Sequence, residues 1–367
     1  MKKKCLIISI SIILLISLIT ILINKNSKEY IVRDGIMLAL TLDGEKIYSY
    51  PKGNNYSVEI NCENGKGKWL VDEWKLSIEE ITGDVICNIN FTSNPKTLLS
   101  EVETINVNNN YNSHGYRYSG SNPNNYIWFN NEMWRIIGSI PTCLSATCGS
   151  NTTNLVKIIK NESIGGLAYD AKSSGYTNVW GNNTLYTLLN SYYYGVSNGT
   201  ETIYCYGYSN KSKSKCDYSK NGINPTGYYG KMIKNVYWNT GGSAYGVTPS
   251  VMYTNEIVTR TVLGYIGLMN ASDYGYAADS SYHNTNMSGY NTTAITSTNW
   301  LYGKSSYSWT NTSYTNTSSQ ISSTAEGKLT STVANSGLDI IPTLYLDSSV
   351  YIVSGDGTEG NPYQIGM

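Results

Sequence analysis

Tyr126-Ile127-Trp128-Phe129-Asn130-Asn131-Glu132-Met133-Trp134-Arg135-Ile136-Ile137 sets two apolar runs on either side of a short polar turn. That pattern is a β-hairpin signature. Leu155 to Ile159 reads as a further strand downstream. Trp180 precedes Asn182-Asn183-Thr184, and Leu185, Leu188, Leu189 and Tyr192 follow at helical spacing. Asn182 or Asn183 can cap that helix, and Gly195 can end it. Tyr265 to Met269 reads as an apolar strand, with Asn270 or Ser272 capping a short helical turn through Ala278. Asp339 to Leu346 and Val350 to Val353 supply closing strands. One convincing helix among many short strands implies an α+β domain rich in loops over 112–367.

Upstream, 34–93 reads as a small all-β module of Ig-like type. Ile36, Leu38, Leu40 and Leu42 alternate, Asp43-Gly44 turns the chain, and Ile47, Tyr48 and Tyr50 return it. Three more alternating faces follow: Tyr56, Val58, Ile60 and Cys62; Trp74, Leu76 and Ile78; Val85, Cys87, Ile89 and Phe91. Residues 94–111 read as a linker whose Leu98, Leu99, Val102, Ile105 and Val107 can dock in part against a neighbour. At the other end, Lys2-Lys3-Lys4 precedes an uncharged run from Cys5. As a helix, Leu6 to Ile23 would span about 27 Å, close to a bilayer's hydrocarbon core. The lysines favour a cytoplasmic tip, and no small-x-small cleavage site follows the run. The expectation is a transmembrane anchor over 1–24, held by membrane lipid, and a tether over 25–33. A cleaved signal peptide is the alternative.

Cysteine use agrees with an exterior location. Cys62, Cys87, Cys143, Cys148, Cys205 and Cys216 all lie beyond the apolar run, and an even set suits disulfides. Their spacing suggests three local pairs, 62–87, 143–148 and 205–216. No tight Cys/His cluster points to zinc, and no metal or cofactor is expected. Lys and Arg together number 26, as do Asp and Glu, and no basic run resembles a nucleic-acid-binding arm. The chain has 34 Tyr but only 2 Phe. Tyrosine suits shallow cores and exposed binding faces alike.

Tyr116-Arg117-Tyr118-Ser119-Gly120-Ser121-Asn122-Pro123-Asn124-Asn125-Tyr126, followed by Trp134-Arg135-Ile136-Ile137-Gly138, resembles surface proteins of low-GC Gram-positive bacteria. Lys157-Ile158-Ile159, Trp180 with its helix, Gly264-Tyr265-Ile266-Gly267-Leu268-Met269, and Ser354-Gly355-Asp356-Gly357-Thr358 through Pro362-Tyr363 follow in the same order. The resemblance covers most of 112–367. It implies the C-type-lectin-like fold shared with formylglycine-generating enzymes, which joins its first and last strands and presents long loops on one side. A likeness at that level transfers no function. Such domains commonly carry a basic residue just before the Pro near the penultimate strand. Here the segment reads Asp339-Ile340-Ile341-Pro342, which departs from that pattern.

Catalytic signals are few. His114 and His283 are the only histidines, and each reads as a solvated loop residue. No Gly-x-Ser-x-Gly, His-Glu-x-x-His or phosphate loop occurs. Asp356-Gly357-Thr358-Glu359 reads as a turn in preference to a calcium loop. Cys205 to Cys216 encloses Tyr206, Tyr208, Lys211, Lys213 and Lys215, suited to an anionic polymer if exposed. The richest tract is Asn270 to Gln320. There Trp300, Trp309, Tyr302, Tyr307, Tyr274 and Tyr276 stand among Ser, Asn, Thr and Gly, the mixture that binding loops use. The alternative is that Trp300 and Trp309 fill the core. These readings give a membrane-anchored, non-catalytic extracellular protein that presents its larger domain to an envelope glycan or a protein. The alternatives are a structural or pilus-like surface component and, behind it, an enzyme with an unrecognised site.

Overall fold

Asn130 and Asn131 both take left-handed backbone, with φ of 54° and 61°. A two-residue type I′ turn demands that, and Asn tolerates it better than most residues. The turn places Phe129 opposite Glu132 and Ile127 opposite Trp134. The strands Tyr126–Phe129 and Glu132–Thr142 lie side by side in an eight-stranded sheet. Its order is Ile266–Gly267, Thr343–Tyr345, Thr153–Lys160, Glu132–Thr142, Tyr126–Phe129, Tyr363–Gly366 and Tyr351–Ser354, with Tyr116–Arg117 also on Glu132–Thr142. Tyr363–Gly366 runs parallel to Tyr126–Phe129, so the last strand lies beside an early one.

The computed structural model describes residues 30–367 apart from 34, 54, 110–113, 150, 196–202, 208–212 and 316–317. The expected anchor over 1–24 and most of the tether lie outside the described residues. Among those described, no helix is long and apolar enough to cross a membrane. The chain divides into two compact units between Asn94 and Pro95.

In the first unit, Ile36–Leu42 pairs in parallel with Ile86–Ser93, which pairs antiparallel with Tyr56–Glu63. Asp43 and Gly44 make the expected turn, with φ of 50° and 84°. Cys62 stands directly opposite Cys87, and the two are bridged. The bridge therefore joins neighbouring strands of one sheet. Trp69 is buried edge-on to Tyr50, Trp74 and Phe91, which gives this small unit an aromatic core.

The expected linker belongs in large part to the second unit. Leu98–Ile105 is a helix with Leu98 and Val102 fully buried, and Thr97 caps it through Ser100 N. The Leu98 N–H bonds Val350 O, and the Ile352 N–H bonds Lys96 O. Those contacts replace a free connector with a docked segment.

The α+β, C-type-lectin-like expectation for the second unit is corrected to a mostly β architecture. Its longest described helices, Leu98–Ile105 and Pro249–Glu256, have 8 residues each. The helix expected after Trp180 starts as read, with Asn183 accepting from Tyr186 N at 2.7 Å. It runs only over Thr184–Leu188 before a π-helical turn over Leu189–Tyr193. Asp339 to Leu346 is two strands in two sheets, with Pro342 between them. Pro cannot donate to a ladder, which favours the break there.

A second sheet has the order Gly166–Ala168, Gly337–Asp339, Ser308–Ser313, Ser319–Ser323 and Leu329–Val333. Its two central hairpin strands are polar in sequence yet buried. Thr310, Asn311, Thr312, Gln320 and Ser322 have no exposed surface. Thr310 Oγ1 donates to Ile321 O, and Gln320 Nε2 to Thr310 O, so the hairpin partly satisfies itself.

Candidate functional site

The aromatic tract Asn270 to Gln320 turns mostly inward. Tyr274 and Tyr276 lie buried on the helix Ala271–Tyr276. Trp309 is 1 % exposed, donates from Nε1 to Leu167 O, and packs edge-on to Tyr169. Trp300 is 5 % exposed and donates to Tyr118 O. Only Tyr302 and Tyr307, at 38 % and 47 %, stand exposed among the six candidates. The binding face expected from this tract is therefore not assembled; four of its six rings are core.

The histidines are held by the fold, His283 buried and His114 half-buried. His114 Nδ1 meets the Tyr276 hydroxyl at 2.7 Å, and its ring packs on Tyr253. Burial, helped by Arg117, pulls its pKa down to about 4. His283 is buried with Nε2 on Ala278 O, and burial lowers its pKa too. Asp356 accepts from the N–H and hydroxyl of Thr358, closing the turn at that position. Cys143–Cys148 and Cys205–Cys216 are bridged, like Cys62–Cys87. The tips of the 205–216 loop, Tyr208 and Lys211, lie outside the described residues. No group of three or more His, Cys, Asp or Glu that could hold a metal occurs among the described residues.

Two constellations stand out instead. The first is a buried charge centre. Gly138 of Glu132–Thr142 is the register partner of Arg117 on one side and Lys157 on the other. A Cβ at Gly138 would stand 2.1 Å from Tyr116 O, so only glycine lets the short strand bearing Arg117 approach. Both cations converge on Asp273. Arg117 Nη1 meets Oδ1 at 2.6 Å, and Lys157 Nζ meets Oδ2 at 2.6 Å. Each of the three side chains is 1 % exposed. Asp273 Oδ2 also accepts from the Asn270 N–H, the returning half of a capping box.

Burial opposes ionisation of Asp273, but Lys157 and Arg117 outweigh it and hold its pKa below the usual carboxylate value. For Arg117, burial is outweighed by Asp273 and its pKa rises. For Lys157, burial wins over a carboxylate it must share, and its pKa falls. Nearby Glu256 closes the helix Pro249–Glu256, buried behind Ser272 and Thr312. Burial raises its pKa to about 7, against the hydrogen bonds from Ser272 and Thr312. With Glu256 protonated, the centre holds two cations and one anion.

The second constellation is a cation–aromatic stack. The Arg135 guanidinium sits 3.8 Å from the Tyr126 ring centroid and 4.9 Å from that of Trp300. Its Nε donates to Asn125 Oδ1, and Nη2 to Asn122 Oδ1 and Pro123 O. Lys304 Nζ stands 5.9 Å from the same Trp300 ring and donates to Asn161 O and Oδ1. Burial lowers the Arg135 pKa to about 10. Burial, and then Arg135 itself, lowers the Lys304 pKa to about 7. Among the described residues neither cation forms an ion pair with a carboxylate. The segment from Asn122 to Tyr126 and Arg135 stood out in sequence, but not as a site. Lys304 gave no local signal. Lys157 gave one: it interrupts a run in which Leu155, Val156, Ile158 and Ile159 are all buried, and such runs mark strands covered on both faces.

No family model matches the chain, and no curated protein or solved structure matches it.

Proposed function

We propose that the protein is a non-catalytic binding protein acting outside the cytoplasm, and that it takes an acidic group of an envelope glycan at Arg135 and Lys304. The observation that carries this reading is the pair of cations sharing the Trp300 ring, neither in a direct ion pair, with Glu359 and Glu162 acting on them only from beyond ion-pair distance. Two neighbouring unpaired cations disfavour each other, and an anion relieves both. Arg and an indole face are also the elements with which proteins hold a charged sugar. Three disulfides and the uncharged run that begins at Cys5 support delivery out of the reducing cytoplasm. Both histidines have lowered pKa values and are engaged by the fold, His114 half-buried on the Tyr276 hydroxyl and His283 buried on Ala278 O, which favours binding over catalysis.

The test is calorimetric titration of the full chain with a uronic-acid oligosaccharide and its neutral counterpart. Lys304→Met should keep the stem's packing and weaken binding of the acidic sugar by about tenfold, as expected for one charged hydrogen bond. Parent affinity should also fall as pH rises through about 7, where Lys304 loses its proton. Equal affinity of parent and variant, or a flat pH profile, would sink this assignment.

A structural surface component is the second reading. It is favoured by the near-complete burial of Trp69, Trp134, Trp180, Trp238 and Trp309, which leaves little aromatic surface for recognition.

A further inference from the structure

The buried charge centre has more than an ion-pair geometry. Lys157 Nζ lies 2.8 Å from Asn270 Oδ1 as well as 2.6 Å from Asp273 Oδ2. An amine, a carboxamide and a carboxylate therefore meet with less than a water's width between them. The Asn270 Nδ2 is held separately, donating to Asn239 O at 2.8 Å. Trp238 and Tyr345 wall the amine, each ring centroid 5.3 Å from Nζ, and both rings are buried.

We propose that Lys157 and Asn270 become joined by an intramolecular amide bond, with Asp273 relaying the protons. Asp273 takes a proton from the Lys157 ammonium. The freed amine attacks Asn270 Cγ, so the Nζ–Cγ bond forms. Asp273 returns its proton to Nδ2, the attacking nitrogen gives up a second proton to the same atom, and the Cγ–Nδ2 bond breaks. One ammonium ion leaves, and Asp273 ends as the carboxylate it began as. No oxidant or cofactor enters the balance.

Three features of the centre favour the step. Proximity replaces a bimolecular encounter between two weakly reactive groups. Burial disfavours the charged amine and so favours the nucleophilic form; it prevails over the Asp273 carboxylate and the ring faces of Trp238 and Tyr345, which favour the ammonium, and the Lys157 pKa is lowered. While Glu256 is protonated the reaction also removes the excess cation: Arg117 and Asp273 remain as a one-to-one pair, whereas before it two cations share one carboxylate. Uncompensated buried charge is costly, which gives the reaction a thermodynamic direction. Asn270 is the electrophile in preference to Asp273, because an ionised carboxylate held by Arg117 resists attack. The product would tie the strand Thr153–Lys160 to the start of the helix Ala271–Tyr276, across a separation of 113 residues.

The test is intact-mass spectrometry of the purified full chain after disulfide reduction. The parent should be lighter than its sequence mass by one ammonia. Proteolysis should yield a branched peptide linking Lys157 to Asn270. Lys157→Arg, which keeps a cation for Asp273, should restore the full mass, with folding checked by circular dichroism. The parent measurement decides by itself if that variant does not fold. Full sequence mass with two linear peptides would overturn the proposal. Loss of water with a link to Asp273 would overturn it too, as would an ammonia loss that leaves Lys157 free and a cyclic imide at Asn270.

Discussion

Replacing Glu256 by Gln should remove a pH dependence from the stability of the second unit. The Glu256 carboxyl accepts the Ser272 N–H at 3.0 Å and the Thr312 hydroxyl at 2.5 Å on Oε1, and it meets the Ser272 hydroxyl through Oε2. Burial raises its pKa from 4.5 to about 7. Between those values the folded chain keeps a proton that the unfolded chain has released, so stability falls as pH rises across the window. At about 1.4 kcal/mol per pKa unit, the loss is roughly 3 kcal/mol, complete above about pH 8 and absent below about pH 4. Glutamine mimics the protonated acid: its oxygen can accept from Ser272 N and Thr312, and its amide can donate to the Ser272 hydroxyl. Urea denaturation of parent and Glu256→Gln at about pH 4 and about pH 8 gives a double difference in which other titrating groups cancel. The variant should match the parent at the lower pH and exceed it by roughly 3 kcal/mol at the higher. An unchanged difference would refute the protonated reading. A variant that loses ground as pH rises would show that ionised Glu256 is needed to neutralise Arg117 and Lys157.

Two further outcomes follow from burial and from the bridges. Trp309→Ala should destabilise the second unit by about 3–5 kcal/mol in chemical denaturation, because it empties a core site and strips Leu167 O of its donor; a loss under about 1 kcal/mol would return this ring to the surface. Replacing both Cys62 and Cys87 by Ala should cost the first unit about 3 kcal/mol, from a bridge closing a separation of 25 residues. Hydrogen exchange should then speed up over Ile86–Ser93 and stay unchanged over Glu132–Thr142, and equal acceleration in both would contradict the two-unit division.

What was legible in the sequence is what local chemistry specifies. Asn130-Asn131 and Asp43-Gly44 announce their turns because few residues tolerate left-handed backbone. Asn183 announces a helix start because its side chain can satisfy an orphan N–H. Its helix is shorter than the spacing suggested because the turn widens at Leu189, a tertiary outcome with no local marker. The charge centre was hidden for the same kind of reason. Arg117 and Asp273 are 156 residues apart, and only the pairing of two strands on Gly138 brings the cations to one carboxylate. Lys304 and Arg135 likewise meet only through the ring of Trp300.

The tyrosine content suits shallow cores and exposed binding faces and is equally compatible with plain compositional drift; in the structure several of the hydroxyls serve the interior. A mostly β unit with short strands and long connections brings loops into its interior, where carbonyls lack ladder partners. Phenylalanine would leave those acceptors unpaired. Tyrosine fills the same volume and carries a donor to them. Tyr274 bonds Gly327 O at 2.7 Å, Tyr290 bonds Tyr282 O at 3.1 Å, and Tyr228 bonds Ile365 O at 3.2 Å. Even the exposed Tyr302 holds Ala325 O. In the buried hairpin Thr310 and Gln320 extend the same solution to side chains without rings, donating to Ile321 O and Thr310 O. The buried hydroxyls of Tyr193, Tyr253 and Tyr351 have no such partner, so the donor accounts for only part of the excess of Tyr over Phe. The residues left to meet a ligand are those whose charge the fold has not met with a direct ion pair, and on that criterion Lys304 and Arg135, held by neutral oxygens with Glu162 and Glu359 acting on them only from beyond ion-pair distance, outrank the aromatic loops.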